Sequence, residues 1–151
     1  MCASIMILFV AVVGFAMWKK RGIPDSVSEI GYVIPSWAFT AWITLLGILA
    51  MPMMMEVLTD SYQVVGFFAI AGLLCVASSP FYRTEEKALH YIGGGICALC
   101  ATIVTMIVAK ELLLCWLGYL MVMTVVRWKC WCFWAEVVIL ILLSISMLMY
   151  H

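Results

Sequence analysis

Six apolar runs, parted by connections of only a few residues, constrain this chain more than any other feature. They lie near residues 2–18, 35–55, 62–79, 88–109, 112–126 and 131–150. A helix needs roughly 17–25 apolar residues to cross the ~30 Å hydrocarbon core of a bilayer. The fifth run is the shortest, with about 15 residues between Glu111 and Arg127. A soluble domain has no room between such runs, and 68% hydrophobic against 11% charged residues is a composition suited to lipid, not water. We therefore expect one all-α domain over residues 1–151, a polytopic membrane bundle of six transmembrane helices.

The basic residues orient that bundle. Lys19, Lys20 and Arg21 fall in the first connection, Arg83 and Lys87 in the third, and Arg127 and Lys129 in the fifth. Lys110 stands alone on the other side. Positive charge accumulates in cytoplasmic connections, so the odd-numbered ones are predicted to be cytoplasmic and both termini non-cytoplasmic. Trp18, Trp128, Trp131 and Trp134 then lie at the cytoplasmic edge, where an aromatic belt belongs. The first run has its charges after the apolar stretch and no A-x-A-like site, so it reads as an anchor and not as a cleaved signal. Formal net charge is zero, which gives no reason to expect a nucleic-acid partner.

Small residues mark faces for helix packing. Ser36, Thr40, Thr44 and Gly47 follow one face of the second run, and Gly94, Ala98 and Thr102 one face of the fourth. Close approach matters in lipid, where apolar area alone gives helices no preference for one another. Both faces are expected to point into the bundle.

Polar residues gather at the predicted cytoplasmic edge. Ser26-Val27-Ser28-Glu29 fits the S-x-x-E capping box, in which a hydroxyl satisfies an orphan amide and the glutamate reaches back. A helix from residue 27 to 55 would be about 43 Å long, more than the bilayer core, so Pro35 is expected to break it. The functional alternative makes Ser26 or Ser28 a nucleophile, with His90 as base and Glu136 in support. Glu136 lies about 8 Å along the last span from Trp131 and should face inward to a partner. Its candidate partners are Arg127, Lys129, His90 and the 26–29 stretch.

Metal chemistry finds little support. With two histidines, His90 and His151, on opposite predicted faces, one chain cannot build a three-histidine zinc site. Cys97 and Cys100 sit within a span, and His90 is about 10 Å from Cys97 along the axis, too far for one ion. The seven cysteines imply no disulfide framework. Cys130-x-Cys132 sits at the cytoplasmic edge, open to acylation or to a metal shared between chains, with packing the plainer role. Met51, Met55, Met147 and His151 gather on the predicted outer side, where soft thioethers would suit copper(I). Ordinary apolar filling explains the same residues, and no cofactor is expected.

Pro24-Asp25-Ser26-Val27-Ser28-Glu29-Ile30-Gly31 after the first span, with His90 near the start of the fourth, resembles the DRAM-like six-span family. That resemblance implies a multi-pass protein tied to lipid or membrane trafficking. Ser26 or Ser28 with His90 also resembles part of the pattern of CREST-type intramembrane hydrolases. The further histidines of that pattern are missing, and Asp60 lies on the opposite predicted face. The expectation is a small multi-pass protein of a cytoplasmic (inner) or plasma membrane. It would lack enzymatic activity and engage membrane lipids, a membrane-protein partner or a second copy of itself. The alternatives are a lipid-modifying enzyme using the Ser26, Ser28, His90 and Glu136 cluster, and a small channel or transporter.

Overall fold

The computed structural model describes residues 2–78, 87–126 and 130–150. Seven helices occur among them: α1 (Cys2–Lys20), α2 (Ile30–Val33), α3 (Ser36–Val57), α4 (Gln63–Ser78), α5 (Lys87–Val108), α6 (Leu112–Val126) and α7 (Trp131–Tyr150). Among the described residues three segments are long and apolar enough to cross a membrane: Ser36–Val57, His90–Val108 and Trp131–Tyr150. Gln63–Ser78 and Leu112–Met123 are apolar but shorter.

Helix ends follow local chemistry. Beyond α1, the Gly22 amide bonds to Met17 O and the Arg21 amide to Trp18 O, both at 3.2 Å. This is the paired Schellman closure, which needs a left-handed residue just past the helix. Arg21 takes that conformation at φ 56°, although a glycine follows it. Lys19 and Lys20 in the last turn face the negative end of the helix dipole. Further on, Ser26 caps a 3-10 turn over Val27–Glu29 that runs straight into α2. Ile34 is extended, as a residue before proline prefers, and α3 starts after Pro35. The expected break at Pro35 is therefore present.

Two buried clusters show how the helices run. Ala16, Phe39, Ala77 and Phe133 belong to one cluster, which joins the end of α1 and α4 to the start of α3 and α7. Met54, Ala69, Val104 and Met147 belong to the other, with Ile5 packed against it. So α3, α5 and α7 run one way, while α1 and α4 run the other. At α6, the Tyr119 hydroxyl donates to Trp131 O at 3.1 Å, tying that helix to the start of α7.

The small-residue face of α3 turns to α4, whereas that of α5 touches α4 at Gly94 and turns to α6 and α7 at Thr102. Thr40 Oγ1 donates to Ala77 O at 2.7 Å, and Gly47 faces Ile70 and Leu73. From the other side, Gly94 meets Val76. α4 and α5 approach each other closely at Gly72 and Gly93. A Cβ added to Gly72 would stand 2.5 Å from Gly93 O and 2.7 Å from Cys97 N. Four hydroxyls of α5 and α7 satisfy themselves along their own helices: Thr102 bonds to Ala98 O, Thr105 to Ala101 O, Ser144 to Leu140 O and Ser146 to Leu143 O. Inside an apolar bundle, that is a near acceptor for a serine or threonine.

Candidate functional site

The helix starts at one end of the bundle create the polar site. The first amides of any α-helix lack intrahelical partners. At α7 no serine, threonine, aspartate or asparagine precedes Trp131, and Cys130 sits there at φ 63°. The connection after α1 supplies the missing acceptor, since the Phe133 amide donates to Asp25 O at 3.1 Å. The favour is returned by Glu136, whose Oε2 accepts from the Val27 amide at 2.5 Å. Each segment caps the other, and the carboxylate that crosses from α7 to the connection after α1 is that of Glu136.

The rest of the cluster extends this lock. Ser26 Oγ accepts from the Glu29 amide at 3.2 Å, the first half of a capping box. The second half is displaced by one residue, because Glu29 Oε2 accepts from the Asp25 amide at 2.5 Å. Lys20 Nζ holds the same carboxylate at 2.7 Å and 2.9 Å. That hydrogen bond, helped by the Glu29 and Asp25 charges, raises the Lys20 pKa above its usual 10.5. Cys130 Sγ donates to Asp25 Oδ1 at 3.3 Å and Cys132 Sγ to Glu136 Oε1 at 3.8 Å.

The structure brings Ser26, Ser28 and Glu136 into one cluster, and leaves His90 out of their hydrogen bonds. Ser26 Oγ and Ser28 Oγ lie 2.8 Å apart. His90 packs its ring beside Tyr91, with centroids 5.5 Å apart. Its buried Nδ1 has no hydrogen-bond partner among the described residues. A serine nucleophile needs a base within hydrogen-bond reach and donors for the oxyanion. Here the hydroxyls meet each other and a backbone amide, and the carboxylate serves as a cap. Arg127 and Lys129, the other expected partners of Glu136, lie outside the described residues.

No protein-family model, curated protein or solved structure matches this chain. The functional reading therefore rests on its own geometry.

The outer methionines have separate fates. Met147 is buried in the second core cluster with Met53 and Met54, and Met55 packs against it from a half-buried position. Met51 is half-buried as well, and His151 lies outside the described residues. Among the described residues no group of three or more His, Cys, Asp or Glu is placed to hold a metal ion. Sequence reasoning missed the Asp25 carbonyl as the cap of α7, and the bond between Cys130 and Asp25. The available signal was the start of α7, where an apolar helix begins without a local cap.

Proposed function

We propose that this chain is a six-span integral membrane protein with both termini on the non-cytoplasmic side. It carries no enzymatic activity and engages membrane lipid or another membrane protein, including a second copy of itself, at its cytoplasmic polar end. The opposed directions of α1 and α4 against α3, α5 and α7 support six crossings, with α1, α4 and the apolar helix α6 completing the three long spans. The basic residues of the odd-numbered connections support the orientation, and a cytoplasmic (inner) or plasma membrane is the membrane we propose for it.

One observation carries the non-enzymatic reading: Ser26, Glu29 and Glu136 each accept from a backbone amide as caps, and the Ser28 hydroxyl is bonded to that of Ser26. A polar cluster committed to holding two helix starts together builds a rigid cytoplasmic face. The self-satisfied hydroxyls of α5 and α7 favour a packed bundle over a polar path between the helices.

Topology and activity are tested separately. Reporter fusions or cysteine labelling at residue 22 and residue 151 should place residue 22 inside and residue 151 outside; the reverse pattern sinks the orientation. Purified protein incubated with phospholipid vesicles should release no product. Turnover that disappears in Ser26→Ala or His90→Ala would establish the lipid-modifying enzyme instead.

A further inference from the structure

Five helices surround an apolar space that the capping cluster does not touch. Its main chamber, about 80 Å³, is walled by α1, α3, α4, α5 and α7. A second chamber of about 40 Å³ continues it toward Met147. Ile5, Ala50, Met54, Leu143 and Ser144 line both, so the two form one channel along the bundle axis. From Ile43 to Met54 on α3, its wall is about 16 Å long.

The channel has no polar demand. Its lining hydroxyl, Ser144, is already bonded to Leu140 O at 2.8 Å. A void of this kind stays dry, because water needs two or more polar partners. It also forfeits the dispersion contacts of its walls. The channel reaches the surface at its side, where the middle of α1 and the middle of α4 both line it, beyond the cluster that joins the ends of those helices. Met6 and Val10 stand on one side of it, with Ile70 and Leu73 on the other, and Val10 is 57% exposed. In a six-span protein this opening, midway along α1, faces hydrocarbon and not water.

We propose that this channel is a binding site for one acyl chain of a membrane phospholipid, entering sideways between α1 and α4. The inference rests on the six-span reading and gives its lipid partner a place. A narrow, elongated, wholly apolar space that opens into a bilayer admits a linear alkyl chain, while the headgroup stays outside. The gain comes from filling a void, since a chain leaving the bilayer for the protein exchanges one apolar medium for another.

Native mass spectrometry of the detergent-purified protein, supplied with dioleoyl phosphatidylcholine, tests this. Ala101→Leu fills the main chamber and Val10→Phe obstructs its rim at an exposed position. Val125→Phe, on the outer face of α6, controls for lipid held loosely on the surface. Wild type and Val125→Phe should retain one phospholipid per chain, with retention falling on the order of tenfold in both channel variants, the scale set by the void volume. Equal retention in wild type and Val10→Phe overturns the proposal. So does a wild type that keeps no phospholipid while resisting carbonate extraction from membranes, a result that leaves the six-span reading standing. Release by carbonate would bring down both.

Discussion

Glu136 and Val27 are 109 positions apart in sequence, yet the Glu136 carboxylate caps the Val27 amide at 2.5 Å. Together with the bond from the Phe133 amide to Asp25 O, this makes the start of α7 and the connection after α1 mutually dependent. Neither segment has its full complement of local caps. The joint therefore exists only in the folded bundle, and its loss is felt at both helix starts.

Replacing Glu136 separates its capping role from its charge. Glu136→Gln keeps an acceptor for the Val27 amide and should cost little. Glu136→Leu leaves that amide unpaired in a half-buried site, at about 1–3 kcal/mol. Melting in detergent, followed by circular dichroism, should fall by about 2–4 °C for each kcal/mol in a chain of this size. A Leu variant as stable as wild type would show that the bond contributes nothing.

The Lys20–Glu29 pair gives an alkaline limit. Both side chains are about 30% exposed, at 30% and 29%, so screening keeps the pair's direct contribution near 0.2–1 kcal/mol. Folding raises the Lys20 pKa, chiefly through the hydrogen bond to Glu29. The contribution is thus complete below the unfolded value of 10.5 and is lost as pH climbs through the higher folded one. A stability profile should fall more steeply above that point in wild type than in Lys20→Met. Glu29→Ala should cost more than Lys20→Met, because it also deprives the Asp25 amide of its acceptor.

Local signals in the sequence survive in the structure, and long-range ones do not show there. The apolar runs at 35–55, 62–79, 88–109, 112–126 and 131–150 match α3 to α7 within about two residues at each end, because charged and turn-forming residues interrupt the apolar pattern there. The Ser26 cap and the Pro35 break are equally local. The one-residue offset of Glu29 arises from Lys20, which lies outside the motif. The importance of α4 was hidden for a different reason. Its Gly66, Ala69 and Gly72 are spaced by three, and only the neighbouring helices make that face the centre of packing. Likewise, a helix start without a local cap says that a partner is needed, but not that Asp25 supplies it.

Arg21 provides a test of backbone strain. A non-glycine residue in the left-handed region carries a cost of roughly 1–2 kcal/mol that glycine avoids. Arg21→Gly should therefore raise stability by about 1 kcal/mol, measured as a shift in urea or thermal midpoint. Lys19 and Lys20 remain to hold the orientation. Gly22→Ala should be tolerated, since a Cβ there meets nothing within 4 Å and its φ is not positive. The opposite ranking would place the left-handed residue at 22.

Glycines on α4 and α5 should divide sharply by position. At Gly72 an added methyl runs into the Gly93 carbonyl and the Cys97 amide, and at Gly93 it runs into the Cys75 Cβ. Backbone cannot swing aside as a side chain can, so Gly72→Ala or Gly93→Ala must push the helices apart. The overpacking cost is about 1–3 kcal/mol, and the lost close contact adds to it. Gly95 lies only two residues from Gly93, yet a Cβ there meets nothing within 4 Å. Gly95→Ala should gain up to about 1 kcal/mol from helix propensity. Melting of the three variants in one detergent decides the matter. Equal effects at 93 and 95 would mean that α4 and α5 do not meet at Gly72 and Gly93, whereas opposite signs would locate their contact to a single helical turn.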